Sequence, residues 1–402
     1  MKITSITCHL LSGRWTGDPS FPHDVHATAF VEIVTDEGVS GLGEISLGYF
    51  APEAVVALVD YFTPVLVGRD PMQITRLARA MESDAVWWSR SGAGRSVIGG
   101  LEMALWDVAG KTLSVPVYQL LGGAVRDTIS VYASGGPSCW PPEANVEKLE
   151  FYRNLGYRAA KLSTNFYRWM APEQSDLPRR LEPARLPHAA KLKRIAESFE
   201  RLRLHFGDEF DLAIDGHEGA EPNPIPVQEA VDIAHALAPY RLVFYEEPLS
   251  YTDVAGYCEL RSRSRVPIAA GESLSGVDQF HPFIAGRGVH LVQPDLGFVG
   301  GIGETVKILH HAAAHGISAG IHTGGCVGPA MAASWHVAAA FASVQWLEIV
   351  VAPRHVQDDF LIEPLRPHEG AVGLPAGPGL GVRLDRELLE KYRFVPGSGE
   401  RT

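Results

Sequence analysis

Ionisable residues recur in this chain at the ends of short apolar runs. In order they are Lys161 with Ser163 in AAKLS, Asp215 with His217 in AIDGH, and Glu246 with Glu247 in FYEEP. Glu272 in IAAGE, Asp295 in VQPD, His322 in AGIH and Glu348 in QWLE continue the series. Asp215, Glu246 and Glu272 come from three successive runs. Three convergent carboxylates repel unless a cation lies between them. All-oxygen ligation suits a hard divalent ion, so Mg²⁺ is the expected cofactor. His322 follows Asp295 by one run. A carboxylate beside an imidazole fixes its tautomer and raises its basicity, the arrangement of a general base. Adjacent strand residues point to opposite sides, so if Glu246 faces inward, Glu247 supports the site from behind.

The runs themselves read as strands: Ser130–Ser134, Ala159–Ser163, Asp211–Asp215, Leu242–Glu246, Pro267–Gly271, His290–Pro294, Ile317–Ile321 and Val344–Ile349. Most successive starts lie about 25 to 30 residues apart, the length of one βα unit. The second interval is longer because of an insertion, Thr164–Arg185. A row of eight such units argues for an α/β barrel, in which function sits at the C-terminal ends of the strands. The opening region differs. Thr28–Val34 alternates like a strand, Asp36-Glu37-Gly38 makes a turn, and Ser40–Ile45 completes a hairpin. Helical spacing follows over Pro52–Phe62 and Val97–Leu113, the latter with Leu101, Ala104, Leu105 and Val108 on one face. The last stretch is Pro- and Gly-rich but apolar enough to pack back on the opening unit. The expected organisation is an α+β unit over 1–125, a barrel over 126–350, and a returning segment over 351–402.

Composition narrows the function classes. With 46% apolar and 20% charged residues, the 402-residue chain supports a large core. A net charge of −12 disfavours nucleic acid or an anionic membrane as partner. Cys8, Cys139, Cys258 and Cys326 are widely spaced with no CxxC, as expected of reduced thiols in a cytosol. The N-terminus lacks the apolar core of a signal peptide, and no stretch reads as a membrane span, so a cytoplasmic protein is expected. Gly297–Glu304 (GFVGGIGE) lacks the order of a dinucleotide loop and reads as a turn after the sixth strand. His310, His311 and His315 include a metal-like i, i+4 spacing, yet read more simply as the solvated face of an outer helix. Asp358-Asp359 reads as a surface turn.

As a spaced set, these motifs resemble the enolase superfamily, mandelate racemase subgroup. The resemblance also covers TDEGVSGLGE in the opening hairpin and GLEMALWDVAGKTLSVPVYQLLGG after it. It implies a capping α+β domain, built from both ends of the chain, over a (β/α)7β barrel. It implies Mg²⁺ on Asp215, Glu246 and Glu272, and a His322–Asp295 dyad as general acid/base. It implies that Glu348 donates a hydrogen bond to a substrate carboxylate from the face opposite the metal. The implied chemistry is removal of a proton α to a carboxylate through an ene-diolate. Proton loss places a second negative charge on the carboxylate oxygens, which a divalent cation stabilises more than the ground state. Lys161 adds positive charge beside that carboxylate. A homo-oligomer, dimeric or octameric, is implied as well.

One motif departs from the pattern. Many members carry Lys-x-Lys at the second strand; here the run is Lys161-Leu162-Ser163. Serine is not a base at neutral pH without activation. Racemisation needs an acid/base on each face, so the change favours dehydration of a sugar acid to a 2-keto-3-deoxy acid. The alternative is a racemase, epimerase or cycloisomerase acting on a hydroxy acid, lactone or anhydro sugar acid through the same enolate. The resemblance extends to an Asp-x-His seen in some acid-sugar dehydratases. His217 then either replaces the missing base or orients Lys161 and substrate. Ser163 is a candidate substrate contact. The capping loop Gly13–His26 and Leu47–Phe50 add Trp15, His23, His26 and Tyr49. Trp87, Trp88, Arg90, Arg95 and Tyr167–Met170 are further candidates.

Overall fold

The computed structural model describes residues 1–14, 25–134, 144–163, 187–219, 224–351 and 354–399. Trp15, His23, Cys139 and Tyr167–Met170 lie outside the described residues.

The opening unit is a three-stranded antiparallel sheet of β1 (Ile3–Arg14), β2 (Val25–Thr35) and β3 (Ser40–Ile45). β2 and β3 form the expected hairpin, with Gly38 at φ +77° in its turn. β1 goes beyond the sequence expectation. It is an edge strand whose buried positions do not alternate, so it carries no period-two signal. Helices Pro52–Leu66, Ile74–Asp84 and Gly92–Leu113 cover the sheet. Leu101, Ala104, Leu105 and Val108 of the last helix are buried against Val31, Ile33 and Ile45. A side chain at Gly43 would place its Cβ 1.8 Å from the Gly100 carbonyl oxygen, so glycine is what lets β3 lie directly on this helix.

Eight parallel strands form the second unit: β4 (Ile129–Ser134), β5 (Ala159–Ser163), β6 (Asp211–Asp215), β7 (Tyr245–Glu246), β8 (Ile268–Ala270), β9 (Leu291–Val292), β10 (Ser318–Ile321) and β11 (Val344–Val350). β11 pairs back on β4, joining Leu347–Val350 to Val131–Ser134, and the barrel closes. Each strand falls on the run expected from the sequence. Helices connect them in turn, which is the (β/α)7β pattern. Inside, Tyr132, Phe244 and Leu291 pack with Ala159, Ala213 and Ala269 and against Trp346. Large and small side chains from successive strands thus fill the lumen and give the site a solid floor.

The tail returns across both units. β12 (Ala371–Val372) pairs antiparallel with Ile129–Ser130 of β4, and Arg393 bridges to Leu11 of β1. Phe360, Leu388 and Tyr392 pack with Leu11, Phe30 and Val327. Asp358 and Asp359 are not a surface turn. They lie in the helix Arg354–Phe360, Asp358 accepting from Arg366 and Asp359 from Tyr392 and Lys391. Among the described residues, no helix is long and apolar enough to cross a membrane, and Cys8, Cys258 and Cys326 are free thiols.

Buried carboxylates fasten the cap to the barrel. Glu44 accepts from the backbone N–H of Val327, Gly328 and Ala330, at the start of helix Pro329–Ala340, and from Thr28 Oγ1. Glu102 accepts from Ile302 N at 2.8 Å, Gly303 N at 2.9 Å and Trp106 Nε1 at 2.7 Å. Asp107 accepts from Leu42 N and from Leu380 N of the tail. Each satisfies donors that would otherwise be orphaned. Burial is the chief cause that pushes Glu102 from its ordinary 4.5 up to about 7. A carboxyl raised in the fold binds its proton more tightly there than in the unfolded chain. Its stabilisation is full below the unfolded pKa and is lost as pH rises through the folded one. Relative to Glu102→Gln, the wild type should therefore lose roughly 3 kcal/mol of stability between acidic and mildly alkaline pH. Urea denaturation across that range checks it, and a constant difference between the two proteins would contradict the shift.

Candidate active site

The strand ends bring the expected ionisable groups to one mouth. Lys161 of β5 is buried, and its ammonium is shared. Nζ lies 2.6 Å from Glu246 Oε1, 3.0 Å from Asp215 Oδ2 and 3.1 Å from Glu348 Oε1. Burial works against that charge, but Asp215, Glu246 and Glu348 outweigh it and hold the pKa well above the ordinary lysine value. Below, the ring of Tyr132 has its centroid 5.9 Å from Nζ. Glu246 also accepts from Gln293 Nε2 at 2.5 Å. Burial, with Asp215, Glu272 and Glu348 close by, drives its pKa well up despite Lys161.

Across the mouth, His322 follows β10 and Asp295 follows β9, joined by a parallel backbone bridge. Asp295 Oδ2 is 2.8 Å from His322 Nδ1, and its other oxygen accepts from Gly297 N at 2.8 Å. With Nδ1 donating, Nε2 is the nitrogen left for chemistry. It lies 2.9 Å from Glu272 Oε2 and 3.5 Å from Glu348 Oε2. Burial opposes the imidazolium, but Glu272 and Glu348 raise its pKa well above the usual value. In return, against the effect of burial, His322 holds Glu272 well below the carboxylate range.

On the β5–β6 side, Ser163 Oγ lies 3.3 Å from His217 Nδ1, while His217 Nε2 lies 3.1 Å from Asp215 Oδ2. β6 ends at Asp215, so His217 is not a strand residue. It reaches the site from a left-handed backbone at φ +49°. Burial opposes its charge, but Asp215 dominates and lifts its pKa from 6.5 to about 9. Glu247 is likewise left-handed, at φ +37°. Its buried carboxylate accepts from Ser273 Oγ at 3.2 Å, and a Cβ on Gly219 would strike it at 1.8 Å. Burial first, then Glu272 and Asp215, push it up to about 8. It backs the acidic cluster as expected, by a turn rather than by strand alternation.

A cavity of about 680 Å³ opens above these groups. Two family descriptions match the chain: "Mandelate racemase / muconate lactonizing enzyme, N-terminal domain" over residues 23–122, and "Enolase C-terminal domain-like" over 144–388. The chain belongs to the enolase superfamily. It is 33% identical to a D-galactonate dehydratase of Xanthomonas euvesicatoria pv. vesicatoria (strain 85-10), over 98% of this chain and 95% of that one. It is 30% identical to a D-gluconate dehydratase of Thermoproteus tenax, over 91% of this chain and 70% of that one. Among solved structures, a 3,6-anhydro-D-galactonate cycloisomerase from Zobellia galactanivorans superposes with a TM-score of 0.81 at 26% identity, covering 98% of this chain and 99% of that one.

The superfamily implies a divalent metal, and the donor set fits one. Glu246, Glu272 and His322 each offer a ligand atom within 4.8 Å of the others. Glu272 Oε2 is shielded from solvent yet has no aligned hydrogen-bond donor, since its approach to His322 has ion-pair distance without hydrogen-bond geometry. Asp215 lies outside that tight group because Lys161 and His217 engage it. Buried oxygens beside ammonium and imidazole groups are what a hard cation can take over.

Other expectations fare differently. Ser163 and Tyr49 line the cavity. His26 does not. It stacks on Tyr49 at 5.5 Å with planes 5° apart, and so braces it. Trp87 is 91% exposed, Trp88 packs on Tyr61 and Phe62, and Arg95 pairs with Glu82 at 2.5 Å. None of the three lines the cavity, nor does Arg90, whose Nε donates to the Val86 carbonyl. Glu348, expected as a donor, accepts from Thr323 N at 3.1 Å. Against burial, Lys161 and His322 hold its pKa below the usual range. Lys148, Tyr251, Gln279 and Phe298 line the cavity from βα loops and helices and were not anticipated. Ser134 also lines it, and as the last residue of β4 it alone carried the strand-end signal.

Glu272→Gln should weaken divalent-metal binding by at least about a hundredfold, beyond what outer-sphere changes cost. Glu348→Gln should weaken it far less. Isothermal titration reads both, and equal effects would remove Glu272 from the metal set.

Proposed function

We propose that this protein is a Mg²⁺-dependent hydro-lyase that removes water from a sugar acid to give a 2-keto-3-deoxy acid. The observation that carries this reading is one carboxylate-backed histidine, His322 on Asp295 at 2.8 Å, facing a Ser163–His217 pair where a second lysine would serve racemisation. The sugar-acid dehydratases among its relatives support the same class. Asp215, Glu246 and Glu272 would hold the metal. When bound, Mg²⁺ supplies positive charge against the substrate carboxylate.

The chain's own residues do the rest. Asp295 fixes the tautomer of His322, so that Nε2 takes the proton α to the carboxylate. The charge left on the substrate faces the Lys161 ammonium, which the barrel floor holds in place. An incoming substrate carboxylate also sets a like charge beside Glu348, which favours its protonated form and lets it donate. The β-hydroxyl then leaves with a proton, from His322 in a syn elimination or from His217 in an anti one. Tyr49, braced by His26, narrows the mouth from the cap.

A second reading is an epimerase or cycloisomerase using the same enolate, supported by the structural likeness to a cycloisomerase. Products separate the two. Mg²⁺-loaded enzyme incubated with a panel of mono- and diacid sugars should release a 2-keto acid from at least one stereoisomer. Solvent deuterium entering recovered substrate, with no keto acid from any, would favour the isomerase. His322→Asn should lower dehydration by about two to four orders of magnitude while Mg²⁺ still binds. Unchanged turnover would remove His322 from the base role.

A further inference from the structure

Far from the mouth, three histidines meet on the outer ring of helices. His281 lies in helix Gly276–Ala285, His311 in helix Ile302–Ala314, and His315 caps the latter helix at its C-terminal end. His281 Nδ1 is 3.0 Å from His311 Nε2, with ring centroids 5.1 Å apart and planes at 22°. The His311 and His315 rings are 4.7 Å apart, nearly perpendicular. His281 is exposed, and the other two are half-exposed. The sequence showed only the pair one turn apart. The fold brings a third imidazole from the neighbouring helix.

We propose that the His281–His311 pair, with His315 beside it but not within ligating distance of both, forms a surface site for a nitrogen-preferring divalent transition-metal ion, with Zn²⁺ or Cu²⁺ as the probes that read it. Two imidazole nitrogens bound to one tetrahedral ion at about 2.1 Å lie roughly 3.4 Å apart, so the 3.0 Å hydrogen-bonded pair of His281 and His311 reaches that spacing by a small side-chain rotation. The geometry requires no main-chain movement at that pair. His315 Nδ1 lies 2.9 Å from the His311 carbonyl oxygen. That contact holds the His315 ring against His311 and so fixes how the His311 imidazole is presented. The imidazoles also suppress one another's charging. Burial, then His315 and His281, lower the pKa of His311, which keeps it neutral and able to ligate.

Ligand type separates this site from the mouth. The mouth offers carboxylate oxygens to a hard ion, whereas this one offers imidazole nitrogens to a borderline one. A bound ion would tie two adjacent outer helices together and stabilise the folded state in proportion to its occupancy.

The test uses the full chain with Mg²⁺ held in large excess, so that the mouth is occupied. Zn²⁺ is titrated calorimetrically, and thermal unfolding is followed with and without it. One additional Zn²⁺ per chain with a raised Tm is expected. His281→Asn and His311→Asn should each weaken that uptake at least tenfold, and His315→Asn should weaken it less. With Cu²⁺ as a second probe, electron paramagnetic resonance should show nitrogen superhyperfine splitting that His311→Asn reduces. Zn²⁺ uptake no greater in the wild type than in His311→Asn, or a Cu²⁺ spectrum unchanged by that substitution, would overturn the proposal.

Discussion

Four ionisable side chains at the mouth share one constraint: the charge of Asp215, Glu246 and Glu348 converges on a single buried ammonium, Lys161. At about 4 Å and an effective dielectric near 20, two like charges repel by roughly 4 kcal/mol. The cluster is tolerable only because opposite charges are interleaved with it. Lys161 serves one side, His322 serves Glu272, and His217 serves Asp215. Closing the barrel between β11 and β4 is what sets Glu348 beside Lys161. The lumen packing of Tyr132, Phe244 and Trp346 keeps that ammonium from sinking into the apolar floor. Remove the cations, by substitution or by titration, and the acids must protonate or move apart. This also suits the site to a divalent ion: the carboxylates are already assembled, so binding would have little reorganisation to overcome.

The cap is positioned by the same kind of interaction used in a different way. Glu44 accepts three backbone N–H groups from Val327 to Ala330. A few residues further along the cap stands Tyr49, and a few residues before Val327 stand His322 and Gly325. A Cβ on Gly325, which takes φ +71°, would lie 3.3 Å from the Tyr49 ring. One buried carboxylate therefore sets the register between the residue that narrows the mouth and the histidine that faces the substrate. Glu102 and Asp107 repeat the device at helix Ile302–Ala314 and at the tail. Both elements of the cap are held by charge-assisted hydrogen bonds to backbone, which do not depend on the identity of the partner side chains.

How much of this was legible in the sequence follows from period and position. The barrel strands could be placed because each is an apolar run ending in an ionisable residue at a regular interval. Lys161, Asp215, Glu272, His322 and Glu348 line the mouth for that reason, and Glu246 and Asp295 sit behind them on Lys161 and His322. What could not be read depends on backbone that leaves the regular period. Both His217 and Glu247 reach the cluster through left-handed residues, so for Glu247 strand alternation gave the wrong reason for the right neighbourhood. β1 escaped notice because an edge strand has no continuous buried face. The lowered pKa of Glu348 depends on which charge sits nearest, a distance no linear spacing encodes. Lys148, Tyr251 and Gln279 carry no motif at all; only the folding of βα loops places them at the cavity. His281 and His311, 30 residues apart, meet for the same reason.

The replacement at Ser163 bears most directly on the chemistry. In place of a second lysine, the β5 end offers a hydroxyl that touches His217 Nδ1, and His217 Nε2 touches Asp215. The face opposite His322 thus keeps a proton carrier, but one of another kind. With its pKa lifted to about 9, His217 arrives protonated at neutral pH. A protonated imidazole can deliver a proton to a leaving hydroxyl and cannot accept one from carbon. His322 is raised as well, by Glu272 and Glu348 against burial; a cation held on Glu272 would cancel that charge, and with Nδ1 committed to Asp295 its Nε2 would then be free to accept. In the anti form of the proposed elimination, the two histidines divide the work, His322 taking the proton from carbon and His217 giving one to oxygen. A racemase needs two groups that each do both. The serine therefore does not simply subtract a base; it brings a histidine into an acid's role, and that asymmetry favours loss of water over inversion.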